Sequence, residues 1–135
     1  MARLFAIRLA ERLGPLGLAT AQFAVLMELW ENDAPTQKQL VERLDIEQAT
    51  VGNTLNRMER DGLIVRRPHP QDGRAQVICL TPKARGFEAA ATRNAAAVNA
   101  EALADLTNDE RASLLDLMRR VVARQRGVRK SSPAK

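Results

Sequence analysis

The sequence predicts a mainly α-helical protein with a small β-hairpin, an α+β fold in a single domain of 135 residues. Most of the chain repeats apolar residues at steps of three and four, as amphipathic helices do, and two short β-type runs lie near its middle. Aromatic residues account for 3% of the chain and hydrophobic residues for 45%, a balance that suits packed helices better than an aromatic-rich sheet. We therefore expect four helices, a hairpin and then two more helices.

The first two helices follow from apolar spacing. Phe5, Leu9 and Leu13 stand four residues apart, which predicts a helix over residues 2–13, and Pro15 cannot continue it. The second helix is expected from Thr20, with a buried stripe of Phe23, Leu26, Met27 and Trp30.

The third and fourth helices form a pair. Thr36 and Gln39 have the spacing of a capping box, in which each side chain bonds the other's backbone amide, so a short helix starts there. After a turn, a fourth helix is expected over residues 47–61, with Glu47 as a weak N-terminal cap. The apolar positions expected to face inward are Leu40, Val41, Leu44, Val51, Leu55 and Met58.

The outer face of the fourth helix is unusual for a solvated surface. It carries amides, small residues and arginines, and no carboxylate interrupts it before Glu59. Such a face can bind an anionic partner, although plain solvent exposure and a local ion pair between Arg57 and Asp61 are alternative explanations. The face consists of Ala49, Thr50, Asn53, Asn56, Arg57 and Arg60.

A β-hairpin is predicted after this helix. Gly62 supplies a left-handed helix end, and residues 63–67 and 75–80 are β-type runs. The loop between them, residues 68–74, is longer than a minimal hairpin turn. Its tip is therefore expected to project and to present Arg74 to an outside partner.

Two helices are predicted after the hairpin. Thr81 and Pro82 begin a helix of some twenty residues, whose inner positions are Ala84, Phe87, Ala91, Asn94 and Val98. Thr107 and Glu110 form a second capping box and open a last helix that is expected to end near Gly127. Its apolar positions are Leu114, Leu117, Met118, Val121 and Val122, and residues 128–135 are predicted to be a frayed basic tail.

Charge and composition limit the function. The formal net charge of +5 favours polyanionic partners such as nucleic acid. The one cysteine, Cys79, cannot form an internal disulfide, and we expect it to be a small buried hydrophobic residue. We expect no secretion signal, because no small-residue cleavage site follows a long apolar run near the N-terminus, and the sequence shows no apolar run of membrane-spanning length and no cluster with zinc-ligand spacing. We therefore expect a cytoplasmic protein without a metal ion, a cofactor or a membrane partner.

A short helix, a turn and a second helix with a polar outer face, followed by a hairpin, make a winged helix-turn-helix, whose second helix enters the major groove of DNA. Arg66, Arg67 and Arg74 suit phosphates or a narrow minor groove. Gly52 would let the helix approach the sugar-phosphate backbone closely, at a cost of about 1 kcal/mol relative to alanine. The residues predicted to contact bases are Gln48, Ala49, Thr50, Asn53, Asn56 and Arg57.

Four motifs resemble the MarR family of winged-helix regulators, and the resemblance runs over nearly the whole chain. Residues 17–23 are similar to the start of that family's second helix, and residues 55–66 resemble its recognition helix running into the wing. Residues 80–83 resemble its wing-to-helix junction. The similarity of Asp72-Gly73-Arg74 to the family's wing tip implies that Asp72 orients Arg74 toward the minor groove.

The resemblance implies a ligand-responsive repressor that binds a palindromic operator in double-stranded DNA as a homodimer, with half-sites about 34 to 36 Å apart. It assigns DNA binding to residues 20–80 and dimerisation to flanking helices in residues 1–19 and 81–127. It also implies a small-molecule effector, such as an aromatic acid. The reactive cysteine that oxidation-sensing relatives carry in the first helix is absent from this sequence.

Two other classes of function are weighed against DNA binding. An enzyme would need a nucleophile, base or metal constellation, but the only histidine, His69, lies in a proline-flanked loop and no two carboxylates form an acid–base pair. We therefore expect no catalytic residues, and we expect His69 to be a solvated loop residue or at most an auxiliary phosphate contact. A winged-helix protein-interaction module would keep the same fold and use its basic face for an acidic partner, so it is the alternative.

Overall fold

The computed structural model describes residues 2–131, with side chains described through Val128. Residues through Val98 form one compact unit, and residues from Asn99 onward form a second. The predicted fold class, mainly helical with one antiparallel hairpin, is confirmed in this part of the chain. The helices are α1 (Ala2–Leu13), α2 (Thr20–Glu31), α3 (Gln37–Leu44), α4 (Gln48–Arg60), α5 (Pro82–Gly86), α6 (Glu88–Ala102) and α7 (Asn108–Ser131), and the strands are β1 (Ile64–Pro68) and β2 (Gln76–Leu80).

The first two helices pack against each other. α1 ends as predicted, with Leu13 fully buried, and a short 3-10 helix, Gly14–Leu16, leads toward α2. In α2 the predicted stripe is partly wrong, because Met27 is 45% exposed whereas Val25 and Leu29 are buried. The buried side of α2 is broader than one stripe since this helix contacts α1, α3 and α4 at once.

α3 and α4 form the predicted helix pair. The amide of Thr36 donates to Gln39 Oε1 at 2.9 Å, and the amide of Gln39 donates to the Thr36 hydroxyl at 3.2 Å, so the capping box is confirmed. Glu47 precedes α4, and its side chain makes no capping hydrogen bond with any described residue, as expected. The inward positions of α4 are buried as predicted, and they are Val51, Leu55 and Met58.

A left-handed Gly62 ends α4 and begins the hairpin. Its φ is +75°, and the amide of Leu63 donates to the carbonyl of Met58 at 2.9 Å, which closes the helix end. β1 and β2 pair antiparallel, with Ile64 opposite Leu80. Each strand begins one residue later than predicted.

Strand β2 has two features that the sequence did not predict. Thr36 forms a β-bridge with Val77, and the amide of Ile78 donates to the carbonyl of Pro35 at 2.8 Å, so the hairpin is fastened to the segment before α3. The expected burial of Cys79 is wrong, because this residue is only half-buried. Ile78 on the opposite strand face belongs to the core, whereas Val77, on the same face as Cys79, is the better covered of these two at 6% exposure.

The long helix predicted after the hairpin is interrupted at Phe87, which separates α5 from α6. The carbonyl of Ala84 accepts from the amide of Phe87 at 3.2 Å and from indole Nε1 of Trp30 at 3.3 Å. In an uninterrupted α-helix the Ala84 carbonyl would accept from the amide of Glu88, four residues later. Here Phe87 and Trp30 supply the donors instead, so the series of helical hydrogen bonds is interrupted at Phe87. The predicted inner positions are nevertheless buried or half-buried, and they are Ala84, Phe87, Ala91, Asn94 and Val98.

In the second unit, α7 begins at the predicted capping box. The amide of Thr107 donates to Glu110 Oε1 at 2.9 Å, and the amide of Glu110 donates to the Thr107 hydroxyl at 3.2 Å. The expected helix end near Gly127 is wrong, since α7 continues to Ser131. Gly127 has no left-handed φ, and a glycine permits a helix end without imposing one. Residues 132–135 of the predicted tail lie outside the described residues.

Candidate nucleic-acid interface

The outer face of α4 is open to solvent. The opposite side of this helix is held in the core, so the face predicted from helical spacing is the one that remains accessible. Its contact with bases stays a prediction, but the structure brings the candidate residues to one surface. The exposed residues are Gln48, Ala49, Thr50, Asn53, Asn56 and Arg57.

Arg57 on this face is not engaged by the protein. The local pair with Asp61 does not form, because the Asp61 carboxylate accepts instead from Gln22 Nε2 at 3.0 Å and from Arg60 Nε at 3.3 Å. Among the residues that the structure describes, Arg57 has no hydrogen-bond or ion-pair partner for its side chain. Its five N–H donors can therefore all serve an anion or a base edge.

A polar anchor holds the C-terminal end of α4. Gln22 of α2 is 6% exposed, and besides donating to Asp61 it accepts from the amide of Ala19 at 3.2 Å. The hydrogen bond from Gln22, followed by the one from Arg60, lowers the pKa of Asp61 below its ordinary value of 3.8. Lys83 Nζ donates to the Asp61 carbonyl at 2.8 Å. α4 is thus tied at its end to α2 and α5, an anchor that the sequence did not signal.

Gly52 lets α3 approach α4 closely. A Cβ added at this position would lie 3.2 Å from Nε2 of Gln37, a residue of α3. The sequence suggested that Gly52 permits a close approach to a DNA backbone, and the structure shows a close neighbour of this position inside the protein. A side chain at position 52 would require the far end of Gln37 to move by a small distance.

The wing tip is held by its own hydrogen bonds. His69 Nδ1 accepts from the amides of Gln71 at 3.0 Å and Asp72 at 3.1 Å, and the His69 amide donates to the carbonyl of Ala75 at 3.0 Å. Asp72 Oδ1 in turn accepts from the amide of Arg74 at 3.0 Å. His69 is therefore not a merely solvated loop residue, because its ring accepts hydrogen bonds from two backbone amides of the wing tip. Asp72 orients the backbone of Arg74, whose side chain is exposed.

Arg66 differs from the other two wing arginines. Its Nη1 donates to Glu59 Oε1 and its Nη2 to Asn56 Oδ1, both at 3.1 Å, and its side chain is 19% exposed. Arg67 and Arg74 are exposed, and neither side chain has a partner among the described residues. The arginines that the sequence grouped as phosphate contacts thus comprise one with internal partners and two that face solvent.

A basic cleft opens between the start of α3 and the wing. Its volume is about 420 Å³, and its lining includes the exposed Lys38 and Arg74 together with Arg66, whose guanidinium is already paired with Glu59. Sequence reasoning missed Lys38, although its place in the first turn of α3 was a signal that could have found it. The cleft can accept an anion such as a phosphate group of DNA.

The described residues hold no candidate metal centre. Within residues 2–131, no three His, Cys, Asp or Glu side chains are placed to bind an ion. No single helix of this range is long and apolar enough to cross a membrane. Only the segments Ala2–Leu16 and Thr20–Glu31, taken as a pair bent by 79°, reach such a length and composition.

Comparison with known proteins identifies the family. The MarR family model matches residues 18–75, which run from the loop before α2 to the wing. YwoH, an uncharacterized HTH-type transcriptional regulator of Bacillus subtilis, is 31% identical over 118 residues, which cover 87% of this chain and 85% of that protein. The likeness therefore extends beyond the helix-turn-helix and the wing.

Solved structures share the architecture. A mutant MarR from E. coli, complexed with operator DNA, is 27% identical with a TM-score of 0.82, covering 89% of this chain and 86% of that one. The PcaV transcriptional regulator from Streptomyces coelicolor, in complex with its natural ligand, is 31% identical with a TM-score of 0.71, covering 78% of this chain and 75% of that one. The helix pair, the hairpin wing and these matches show that the chain belongs to the MarR family of transcriptional regulators.

Proposed function

We propose that this protein is a repressor that binds a palindromic operator in duplex DNA as a homodimer and responds to a small-molecule effector. The observation that carries the proposal is the exposed, carboxylate-poor face of α4 beside a basic cleft and an exposed Arg74. The major groove, about 12 Å wide, admits an α-helix. In this arrangement α4 lies in the major groove while the wing reaches the neighbouring backbone or minor groove.

The side chains of α4 offer contacts to base edges. Asn53 and Arg57 have no internal partner among the described residues, so both keep their hydrogen-bonding groups for DNA. An asparagine can bond adenine at two atoms and an arginine can bond guanine at two, whereas Thr50 and Ala49 offer methyl groups to thymine. Gln48 lies in the first turn of α4, the part of a recognition helix that contacts base edges in helix-turn-helix proteins.

Phosphates are the proposed partners of Lys38, Arg67 and Arg74. All three are exposed, and Asp72 holds the backbone of Arg74 before any DNA is present. A wing that is already ordered loses less conformational freedom on binding than a flexible loop would. The net charge of +5 adds a long-range attraction that weakens as salt is added.

Exposed apolar side chains on two helices support the homodimer. Along α7 the exposed fractions of these side chains lie between 42% and 58%, and α1 exposes Leu4 and Ile7. Contiguous apolar surface is uncommon on monomers and marks interaction sites. We assign dimerisation to residues 1–19 and 81–127 and DNA binding to residues 20–80, with the two copies of α4 about 34 to 36 Å apart. The exposed α7 residues are Leu115, Leu117, Met118, Val121, Val122 and Val128.

The proposed effector response is supported by family membership, since PcaV was solved with its natural ligand. A hollow of about 510 Å³ beside α7 is lined by apolar residues, among them Leu106 and Leu114, but also by Asp109 and Glu110. These two carboxylates repel an anion. An aromatic acid is therefore expected to bind outside this hollow, which suits an uncharged or cationic ligand better.

Selection of bound genomic fragments, followed by fluorescence anisotropy on the recovered duplex, tests the proposed function. We expect saturable, sequence-selective binding whose affinity falls steeply with salt. Arg57→Ala should weaken operator binding, whereas Arg93→Ala, at an exposed arginine of α6, is the charge-matched control and should bind like the wild type. Weak binding that is indifferent to sequence would contradict the proposal and favour a protein-interaction module. Aromatic carboxylates added to the bound complex should release DNA if an aromatic acid is the effector.

A further inference from the structure

Arg66 reaches from the wing to two residues of α4. It lies two residues after Ile64 on β1, and residues two apart on a strand face the same side. Ile64 is 1% exposed and belongs to the core, so Arg66 is directed toward the body of its unit. Asn56 and Glu59 are three residues apart on α4 and share a helix face. Each accepts from one end of the guanidinium fork at 3.1 Å.

The chemistry of the guanidinium orients the Asn56 amide. A guanidinium carries only N–H donors, so the Asn56 atom that faces Arg66 must be the carbonyl oxygen, Oδ1. The amide then directs its Nδ2 amino group away from Arg66. Because Asn56 is exposed on the outer face of α4, this amino group is what it offers to a partner.

Glu59 offsets the charge of Arg66. The two side chains form an ion pair at 3.1 Å, and the Arg66 side chain is 19% exposed against 46% for Glu59. A guanidinium that is largely covered and already paired has less to give a phosphate than the exposed Arg67 beside it. The contacts of Arg66 therefore indicate a role inside the protein.

We propose that Arg66 is a positioning residue that sets the base preference of Asn56, an inference that rests on the proposed DNA-binding function. A freely rotating asparagine pairs with adenine by accepting from N6 and donating to N7. With Oδ1 turned toward Arg66, Asn56 presents donors, and guanine is the purine whose major-groove edge offers two acceptors, N7 and O6. Asn56 thus selects guanine over adenine at its position in the operator.

Anisotropy titrations of duplexes that carry each base pair at each operator position test this inference. Asn56→Ala locates the position that Asn56 contacts, as the one where the base preference disappears. The double substitution Arg66→Met, Glu59→Gln, called the clamp variant, removes the hydrogen bonds that join Arg66 to Asn56 and Glu59 without changing the net charge. Arg66→Lys keeps the positive charge but lacks the forked guanidinium that bonds both residues. The clamp variant and Arg66→Lys should each reduce the preference for guanine at the position that Asn56 contacts by about fivefold or more. Once Asn56→Ala is present, removal of the clamp should have no further effect on that preference.

Salt dependence distinguishes positioning from phosphate binding. Affinity decreases with salt, and the magnitude of the slope of log affinity against log salt concentration decreases by about 0.9 for each phosphate group that the protein no longer neutralises. The Arg66→Met, Glu59→Gln variant should keep the wild-type slope, whereas the Arg67→Met control should lower it and leave base preferences intact. A lowered slope with unchanged base preference in the clamp variant would overturn the inference. An unchanged preference in Arg66→Lys would overturn it as well, even if the clamp variant fails to fold. A wild-type protein without sequence selectivity would instead refute the proposed function, and this inference with it.

Discussion

Replacing Gly52 with alanine separates a packing role of this glycine from a role in DNA binding. Inside a helix, alanine is favoured over glycine by about 0.8 to 1.0 kcal/mol. The added Cβ would lie 3.2 Å from Nε2 of Gln37, which is the far end of a flexible, half-buried side chain and can shift by the small distance required. A side chain displaced within its rotamer well costs a few tenths of a kcal/mol at most. Gly52→Ala should therefore stabilise the fold by about 0.5 to 1 kcal/mol.

Urea unfolding at one fixed protein concentration measures this gain. The same change should raise Tm by about 2 to 4 °C. Gly52→Ala combined with Gln37→Ala removes the crowded atom, so relative to Gln37→Ala alone it should show the full difference in helix propensity. If Gly52→Ala alone destabilises the fold by more than about 0.5 kcal/mol, the reasoning is refuted, because Gln37 would then be unable to move aside.

Operator affinity of the same variant decides whether DNA also needs the glycine. If DNA does not need the glycine, the affinity of Gly52→Ala stays within about twofold of the wild type. A variant that is more stable but binds the operator about tenfold more weakly would restore the interpretation that the sequence suggested, a close approach of α4 to the sugar-phosphate backbone.

The other expected outcomes concern DNA binding, assembly and pH. Arg74→Ala should weaken binding to every duplex and lower the salt slope by about 0.9 for each phosphate that Arg74 neutralises, whereas Asn53→Ala should relax the preference for particular bases by about 1 to 3 kcal/mol. Equal weakening on operator and random DNA for both variants would reject this division of roles. Val121→Asp, at a side chain that is 58% exposed, should convert the proposed dimer to the 14.9 kDa monomer in analytical ultracentrifugation, with its helical circular dichroism retained. An unchanged sedimentation coefficient would place the dimer interface elsewhere. Gln22→Met should destabilise the fold near neutral pH and less in acid, because the lowered pKa of Asp61 contributes stability above its ordinary value of 3.8 that is lost as the pH falls through the lowered value. Equal destabilisation by urea at neutral and strongly acidic pH would contradict this account.

Much of the fold could be predicted because it depends on residues close together in the chain. Both capping boxes join residues three apart, and both form as expected. The left-handed Gly62 ends α4 where the pattern placed it, and helical spacing correctly assigned the inner and outer faces of that helix. The same local pattern was wrong at Gly127, since it marked a helix end that the backbone does not take.

The candidate site could be predicted only in part, as a set of exposed side chains. The sequence placed Asn56 and Arg57 on one open face, which the structure confirms. It did not distinguish Arg66 from the other wing arginines, because the contact with Asn56 spans ten residues and two kinds of secondary structure. The role of His69 was also missed, since a ring that accepts from two amides leaves no trace in the hydropathy pattern.

By itself, then, the sequence determined the kind of each element and the face that each turns outward, because propensity, capping and amphipathic spacing act within about one helical turn. Only the tertiary structure decided where the helix after the wing breaks, how α4 is anchored and what Arg66 bonds. The Trp30 indole meets Ala84 across 54 residues, and Gln22 meets Asp61 across 39. Such bonds form only after the core has brought distant segments together, so no local pattern records them.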